Sequence, residues 1–116
     1  MEKTRAYATL MQHNREEGPY NRIRFSQMAS RLFDGYTHCD LFKTNDDKYI
    51  IVVPLKEWEK NPAKYKLSTD ASGSVLIACK RLVTMNFFKK EWFGKSYKVK
   101  KSKDGKVVIC LSEEVA

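Results

Sequence analysis

The segment Asp46-Asp47-Lys48-Tyr49-Ile50-Ile51-Val52-Val53 decides the fold, because its residue types return as Asp104-Gly105-Lys106-Val107-Val108-Ile109-Cys110-Leu111, 58 residues later. Each copy begins with turn-forming residues and continues into β-branched and apolar ones, as the second strand of a hairpin does. Working outward from these segments, the similarity extends over residues 22–55 and 80–112. We interpret it as an internal duplication.

The first copy carries local signals for a strand, a short helix and a hairpin. Arg22-Ile23-Arg24-Phe25 alternates basic and apolar residues, which is typical of a strand with one buried face. Ser26 is placed to cap a helix over residues 27–33, and Gly35 is placed to end that helix. A hairpin over residues 37–53 is expected to follow.

The second copy repeats this plan. Thr84 takes the capping position and Gly94 the terminating one, and a hairpin is expected over residues 96–111. Asp104-Gly105 is a strong hairpin-turn signal because glycine tolerates a positive φ. Between the two copies, residues 65–79 have the pattern of an additional hairpin.

The N-terminal residues indicate a different element. Ala6 and Leu10 fall at helical spacing, and so do Tyr7 and Met11. Residues 1–18 are therefore predicted to form an N-terminal helix or arm.

The predicted fold class is α+β with a β-rich core, in one domain of residues 1–116. Two strand–short helix–β-hairpin units are expected in a pseudo-twofold arrangement, as a small barrel or a curved sheet. The prediction adds an N-terminal helix to these two units.

Length and composition exclude several classes of protein. A chain of 116 residues has the size of one ordinary domain. It contains no apolar stretch near the ~20 residues of a membrane helix, and its N-terminus lacks the apolar region of a secretory signal. Cys39, Cys79 and Cys110 form no CxxC pair and lie in or beside apolar runs, so we expect buried free thiols. These features predict a cytoplasmic protein with no membrane partner.

Charge gives the first indication of function. The net charge is +8, and it is unevenly distributed. Residues 1–58 contain nine basic and eight acidic residues, whereas residues 59–116 contain 13 basic and six acidic ones. Six lysines lie within the 12 residues 95–106. A basic cluster of this kind favours a polyanionic partner, most often nucleic acid.

The residues offer little for catalysis. His13 and His38 lie in different predicted elements, and neither has metal-ligand spacing to a second histidine or a CxxC pair. No phosphate-binding GxxxxGK[ST], dinucleotide-binding GxGxxG or nucleophile GxSxG motif occurs. We therefore expect a protein that is not an enzyme and that holds no metal and no cofactor.

Candidate nucleic-acid-binding residues come from the basic strands of both copies. Arg22 and Arg24 share the polar face of the first predicted strand, and Lys98 and Lys100 share a strand face of the second hairpin. Lysines would bring affinity with little sequence discrimination, whereas arginines can also recognise base edges. The full candidate set is Arg22, Arg24, Lys80, Arg81, Lys98, Lys100, Lys101 and Lys103.

A short strand, a helix closed by Leu32-Phe33-Asp34-Gly35 and a hairpin with Asp104-Gly105-Lys106 together resemble the AbrB/MraZ-type swapped-hairpin DNA-binding module, here in tandem. The resemblance implies that two modules interlock into one small barrel. It also implies DNA contacts by the basic residues of the first strands, which by position are Arg22, Arg24 and the pair Lys80-Arg81. Gln27 stands where the family has a proline.

A Whirly-type sheet, which binds single strands, is the competing resemblance, because it also has hairpins and basic strands. The sequence thus predicts a small DNA-binding regulator or accessory factor of bacterial or phage type, with DNA preferred over RNA. The alternatives are a protein–protein interaction module, such as a phage-encoded inhibitor with an acidic protein partner, and a single-stranded DNA-binding protein. A homodimer is left open.

Overall fold

Strands dominate the computed structural model of the chain, which describes residues 5–15, 18–56, 65–79 and 87–115. The described strands are β1 Tyr7–Arg15, β2 Gly18–Phe25, β3 His38–Lys43, β4 Tyr49–Leu55, β5 Tyr65–Thr69, β6 Val75–Ala78, β7 Lys95–Lys101 and β8 Val107–Glu114. The described helical elements are α1 Gln27–Ser30 and the 3-10 helices Arg31–Phe33 and Lys90–Trp92.

The eight strands form a closed antiparallel barrel in the order β1-β2-β6-β5-β3-β4-β8-β7, and β7 pairs with β1 to close it. Chain neighbours pair as the hairpins β1–β2, β3–β4, β5–β6 and β7–β8. The pairing pattern is the same for both halves of the strand order. If β1 is exchanged with β5, β2 with β6, β3 with β7 and β4 with β8, the same pairs of strands are neighbours in the barrel. The duplication of residues 22–55 and 80–112 stays a prediction.

The barrel interior holds the core. Side chains alternate along each strand, so every second residue points inward. Leu10, Ile23, Phe25, Ile50 and Ile109 are fully buried there. The three cysteines are buried free thiols, as expected. No helix of the described residues has the length and apolar character needed to cross a membrane.

The predicted α+β class with a short helix in each unit is wrong. α1 is the one α-helix in the described part of the chain, and the 3-10 helix Arg31–Phe33 extends it. In the second copy the described residues 87–93 contain only the 3-10 helix Lys90–Trp92. A single helical turn cannot bury an apolar stripe of its own, so both segments pack against the barrel and the strand ladders carry the fold.

The predicted N-terminal helix is also wrong, because residues 7–15 form strand β1. A spacing of four is even, so Ala6 and Leu10 also fall on one face of a strand. In β1 the inward face carries Ala8 and Leu10, which are fully buried, while Met11 lies on the opposite face. Pairing with both β2 and β7 supplies the backbone hydrogen bonds that a helix would otherwise make.

The hairpins of the central and C-terminal regions lie where the sequence predicted them. Thr44 and Ser102 open the β3–β4 and β7–β8 turns, and each hydroxyl donates to the aspartate two residues later, Asp46 or Asp104. The third turn, between β5 and β6, ends with Gly73 at a φ of +87°. Local turn chemistry therefore fixes these three reversals of the chain.

Candidate nucleic-acid interface

Strand β1 brings the two predicted basic strands onto one wall of the barrel. Thr9 of β1 pairs with Arg24 of β2 on one side and with Ser96 of β7 on the other. Paired residues point to the same side of a sheet, so all three lie on the outer surface. Two residues before Thr9 in β1, and on the same outer surface, Tyr7 pairs with Lys98. Arg24 and Ser96 are thus about 10 Å apart, two strand spacings.

We call this wall the basic face and define it by Arg22, Arg24, Lys98 and Lys100. It unites residues from both ends of the chain, which the sequence had placed in separate units. Lys98 and Lys100 are exposed, as is Arg24, whereas Arg22 is half-buried between its neighbours on β1 and β6. The face therefore presents four cations from two strands that β1 separates.

Arg24 is held in place by the β5–β6 turn. Its guanidinium lies 3.1 Å from a carboxylate oxygen of Asp70 and also donates to the hydroxyl of Ser72 at 3.2 Å. Asp70 accepts further hydrogen bonds from the Ser72 hydroxyl and from the backbone amides of Ser72 and Ser74. The Ser72 hydroxyl, with those amides and Arg24, lowers the pKa of Asp70 to about 2. The arginine is consequently oriented before any ligand arrives.

Carboxylates partly neutralise the lysines of the second hairpin. Lys98 lies 3.7 Å from Glu113, and Lys95 lies 3.8 Å from Glu114. Both contacts are exposed and long, so each contributes little to stability and is screened by salt. These lysines remain able to exchange a glutamate for another anion.

Lys101 and Lys103 differ, because no ion pair joins them to a carboxylate among the described residues. Both are exposed at the end of the β7–β8 hairpin. The hairpin end therefore adds positive charge that no described carboxylate neutralises, next to the basic face.

The ammonium of Lys100 lies 5.7 Å from the centre of the Tyr49 ring, so this side chain reaches across β8 toward β4.

A cavity of about 490 Å³ opens on the basic face. Its lining includes Arg5 and Arg24 and five serine or threonine residues, which are Thr9, Ser26, Ser72, Ser74 and Ser96. Two guanidinium groups and several hydroxyl donors suit a phosphate group. Sequence reasoning missed Arg5, since it lay in the segment that was predicted to be a helix.

Lys80 and Arg81 lie outside the described residues. Arg22, Arg24, Lys98 and Lys100 come together on the basic face, and Lys101 and Lys103 lie at its hairpin end.

Metal-ligating clusters and activated thiols are both absent among the described residues. No group of three or more His, Cys, Asp or Glu among them is placed to hold a metal ion. Burial raises the pKa of Cys39 to about 12 and also raises that of Cys79. These thiols therefore stay protonated and are poor nucleophiles.

Sequence reasoning also missed Phe42. Its side chain is 53% exposed on the outer surface of β3. Strand alternation could have found it, because Cys39 and Leu41 take the inward positions of the same strand.

Comparison of the chain with protein families, curated proteins and solved structures finds no match. The AbrB/MraZ-type and Whirly-type resemblances stay predictions.

Proposed function

We propose that this protein binds nucleic acid, DNA in preference to RNA, as a small non-enzymatic regulator or accessory factor of bacterial or phage type that acts in the cytoplasm. The observation that carries the proposal is the basic face, where Arg22 and Arg24 of β2 and Lys98 and Lys100 of β7 flank β1. Convergence of cations from distant segments on one surface is the electrostatic footprint of a phosphate-binding protein.

The two kinds of cation have different roles in this proposal. Arg24, oriented by Asp70, positions the protein on the nucleic acid and can recognise a base edge or a phosphate with its forked donors. Lys98 and Lys100, with Lys101 at the hairpin end, act as point charges on phosphates. The affinity is therefore mainly electrostatic and decreases steeply with salt.

Fluorescence anisotropy with labelled duplex and single-stranded DNA at several salt concentrations tests the proposal. We expect Lys98→Glu to weaken binding strongly. Lys66→Glu is the matched control, because Lys66 is exposed on β5, four strands from β7 in either direction around the barrel. Neutralising Lys98, Lys100 and Lys101 together should reduce the slope of log K against log salt by about 0.9 for each lost contact with duplex phosphate.

Two results would contradict the proposal. One is the absence of binding to either form of DNA at low salt. The other is an equal effect of Lys98→Glu and Lys66→Glu, which would mean that only net charge matters.

An acidic protein surface is the second candidate partner. The observation that favours it is that the basic face already holds carboxylates, since Arg24 pairs with Asp70 and Lys98 with Glu113. Co-purification of a partner that resists nuclease treatment and is lost in Lys98→Glu would support this alternative.

A further inference from the structure

An apolar patch with an aromatic residue at its edge lies next to the basic face. Phe42 of β3 pairs with Ile51 of β4, Ile51 with Val108 of β8, and Val108 with Lys100 of β7. These four side chains form one row on the outer surface of four adjacent strands. Tyr49, two residues before Ile51, lies on the same surface. We call Phe42, Tyr49, Ile51 and Val108 the aromatic patch.

Lys100 connects the aromatic patch to the basic face. Its backbone belongs to β7, but its ammonium lies 5.7 Å from the centre of the Tyr49 ring on β4. The positive charge is therefore held over the patch rather than beside it. The ammonium suits a phosphate and the ring of Phe42 suits the flat face of a base, so this surface offers both kinds of contact.

Duplex DNA cannot use this arrangement, because its base faces are stacked on each other and hidden. A single strand offers both groups at once, phosphates for Lys100 and unstacked bases for Phe42.

A second copy of the chain fits the patch less well. A twofold interface uses the same surface on both subunits, so it would bring Lys100 and its neighbours Lys98 and Lys101 close to their own copies. Like charges in such an interface are repulsive. Charge complementarity therefore favours a polyanion over self-association.

We propose that the aromatic patch binds single-stranded nucleic acid, with a base stacked on Phe42 and the adjoining phosphate on Lys100. The inference rests on the proposed function and names the form of nucleic acid that this side of the protein recognises. Arg22 and Arg24, on the far side of β1, hold the continuing backbone of the same strand.

Binding of labelled oligothymidylate, which forms no stable secondary structure, is compared with binding of a duplex of the same length. We expect Phe42→Ala to weaken oligothymidylate binding about tenfold and to leave duplex binding unchanged. Phe42→Trp should restore it, because it retains an aromatic face, whereas Phe42→Leu should not. Tyr36→Ala is the matched control. Tyr36 is 39% exposed and lies before β3, six residues and about 20 Å of extended chain from Phe42.

The outcomes separate this inference from the proposed function. If the unmodified protein binds neither form at low salt, the proposed function fails and the inference fails with it. If it binds and Phe42→Ala weakens both forms equally or neither, the inference alone is overturned. Analytical ultracentrifugation provides a further test. If the protein is a dimer and both Phe42→Ala and Phe42→Trp dissociate it, the patch is a subunit interface and the inference is overturned.

Discussion

The ammonium of Lys43 lies 3.1 Å from a carboxylate oxygen of Asp47, and this ion pair spans the β3–β4 turn. Asp47 has a φ of +59°, where the corresponding turn of the second hairpin has Gly105 at +86°. The other oxygen of Asp47 lies 3.2 Å from the ammonium of Lys89. Asp47 thus adopts the left-handed backbone conformation that favours glycine, and its side chain links the turn to the segment before β7.

Replacement of Asp47 by asparagine should destabilise the protein at neutral pH, since asparagine tolerates the same backbone conformation but forms no ion pair. Lys43 and Lys89 lower the pKa of Asp47. A carboxylate with a lowered pKa in the folded protein stabilises it above the ordinary aspartate pKa, and that stabilisation disappears as the pH falls through the lowered value. Urea unfolding should therefore give a difference between the two proteins that is constant near pH 7 and shrinks below about pH 4. A constant difference down to pH 2 would contradict this.

Substitutions in β1 distinguish a strand from the helix that its spacing suggested. A helix that buries Ala6 and Leu10 would also bury Tyr7 and Met11, whereas strand β1 separates Leu10 from Met11. Leu10→Ala should cost about 2–5 kcal/mol of unfolding free energy, and Met11→Ala should cost much less. Chemical denaturation measures both values, and equal costs would be inconsistent with the strand.

Removal of the Asp70 charge should strengthen nucleic-acid binding. Asp70 holds Arg24 at 3.1 Å and places a negative charge at the edge of the basic face. Asp70→Asn removes this negative charge, while its amide oxygen can still accept hydrogen bonds from Arg24 and from the turn, so we expect a higher affinity at low salt and a steeper salt dependence. Arg24→Ala should lower the affinity. An unchanged affinity in both variants would exclude Arg24 from the interface.

The same carboxylate should also make the protein sensitive to strong acid. The folded protein lowers the pKa of Asp70 to about 2. Its contribution to stability is complete above the ordinary aspartate pKa and is lost as the pH falls toward 2. The difference in stability between the unmodified protein and Asp70→Asn should therefore decrease between about pH 4 and pH 2.

Local sequence could predict the turns but not the partners of the strands. The pair Asp104-Gly105 and the repeat in type around Asp46 were enough to place two hairpins, because a turn depends on its own few residues. Strand β1 could not be identified in this way, since its even spacing suits a helix as well and its pairing with β7 joins residues about 90 positions apart.

Prediction of the candidate site from the sequence had the same limit. Alternation correctly turned Arg24 and Lys98 outward, but nothing local places them on one wall, because that depends on β1 lying between them. Strand alternation alone turns Phe42 outward, but its place in one row with Ile51, Val108 and Lys100 depends on the barrel in the same way.

Closure of the barrel leaves no strand with a free edge among those described. Each strand has a hydrogen-bonded neighbour on both sides for part of its length, and stretches such as residues 11–15 and 40–43 pair on one side only. No described strand therefore offers its whole edge to an incoming polypeptide. Amyloid-like stacking and strand exchange at an edge are disfavoured for the same reason. Recognition by outward side chains needs no opening of the barrel, so its specificity can change by surface substitutions that leave the hydrogen-bonded framework intact.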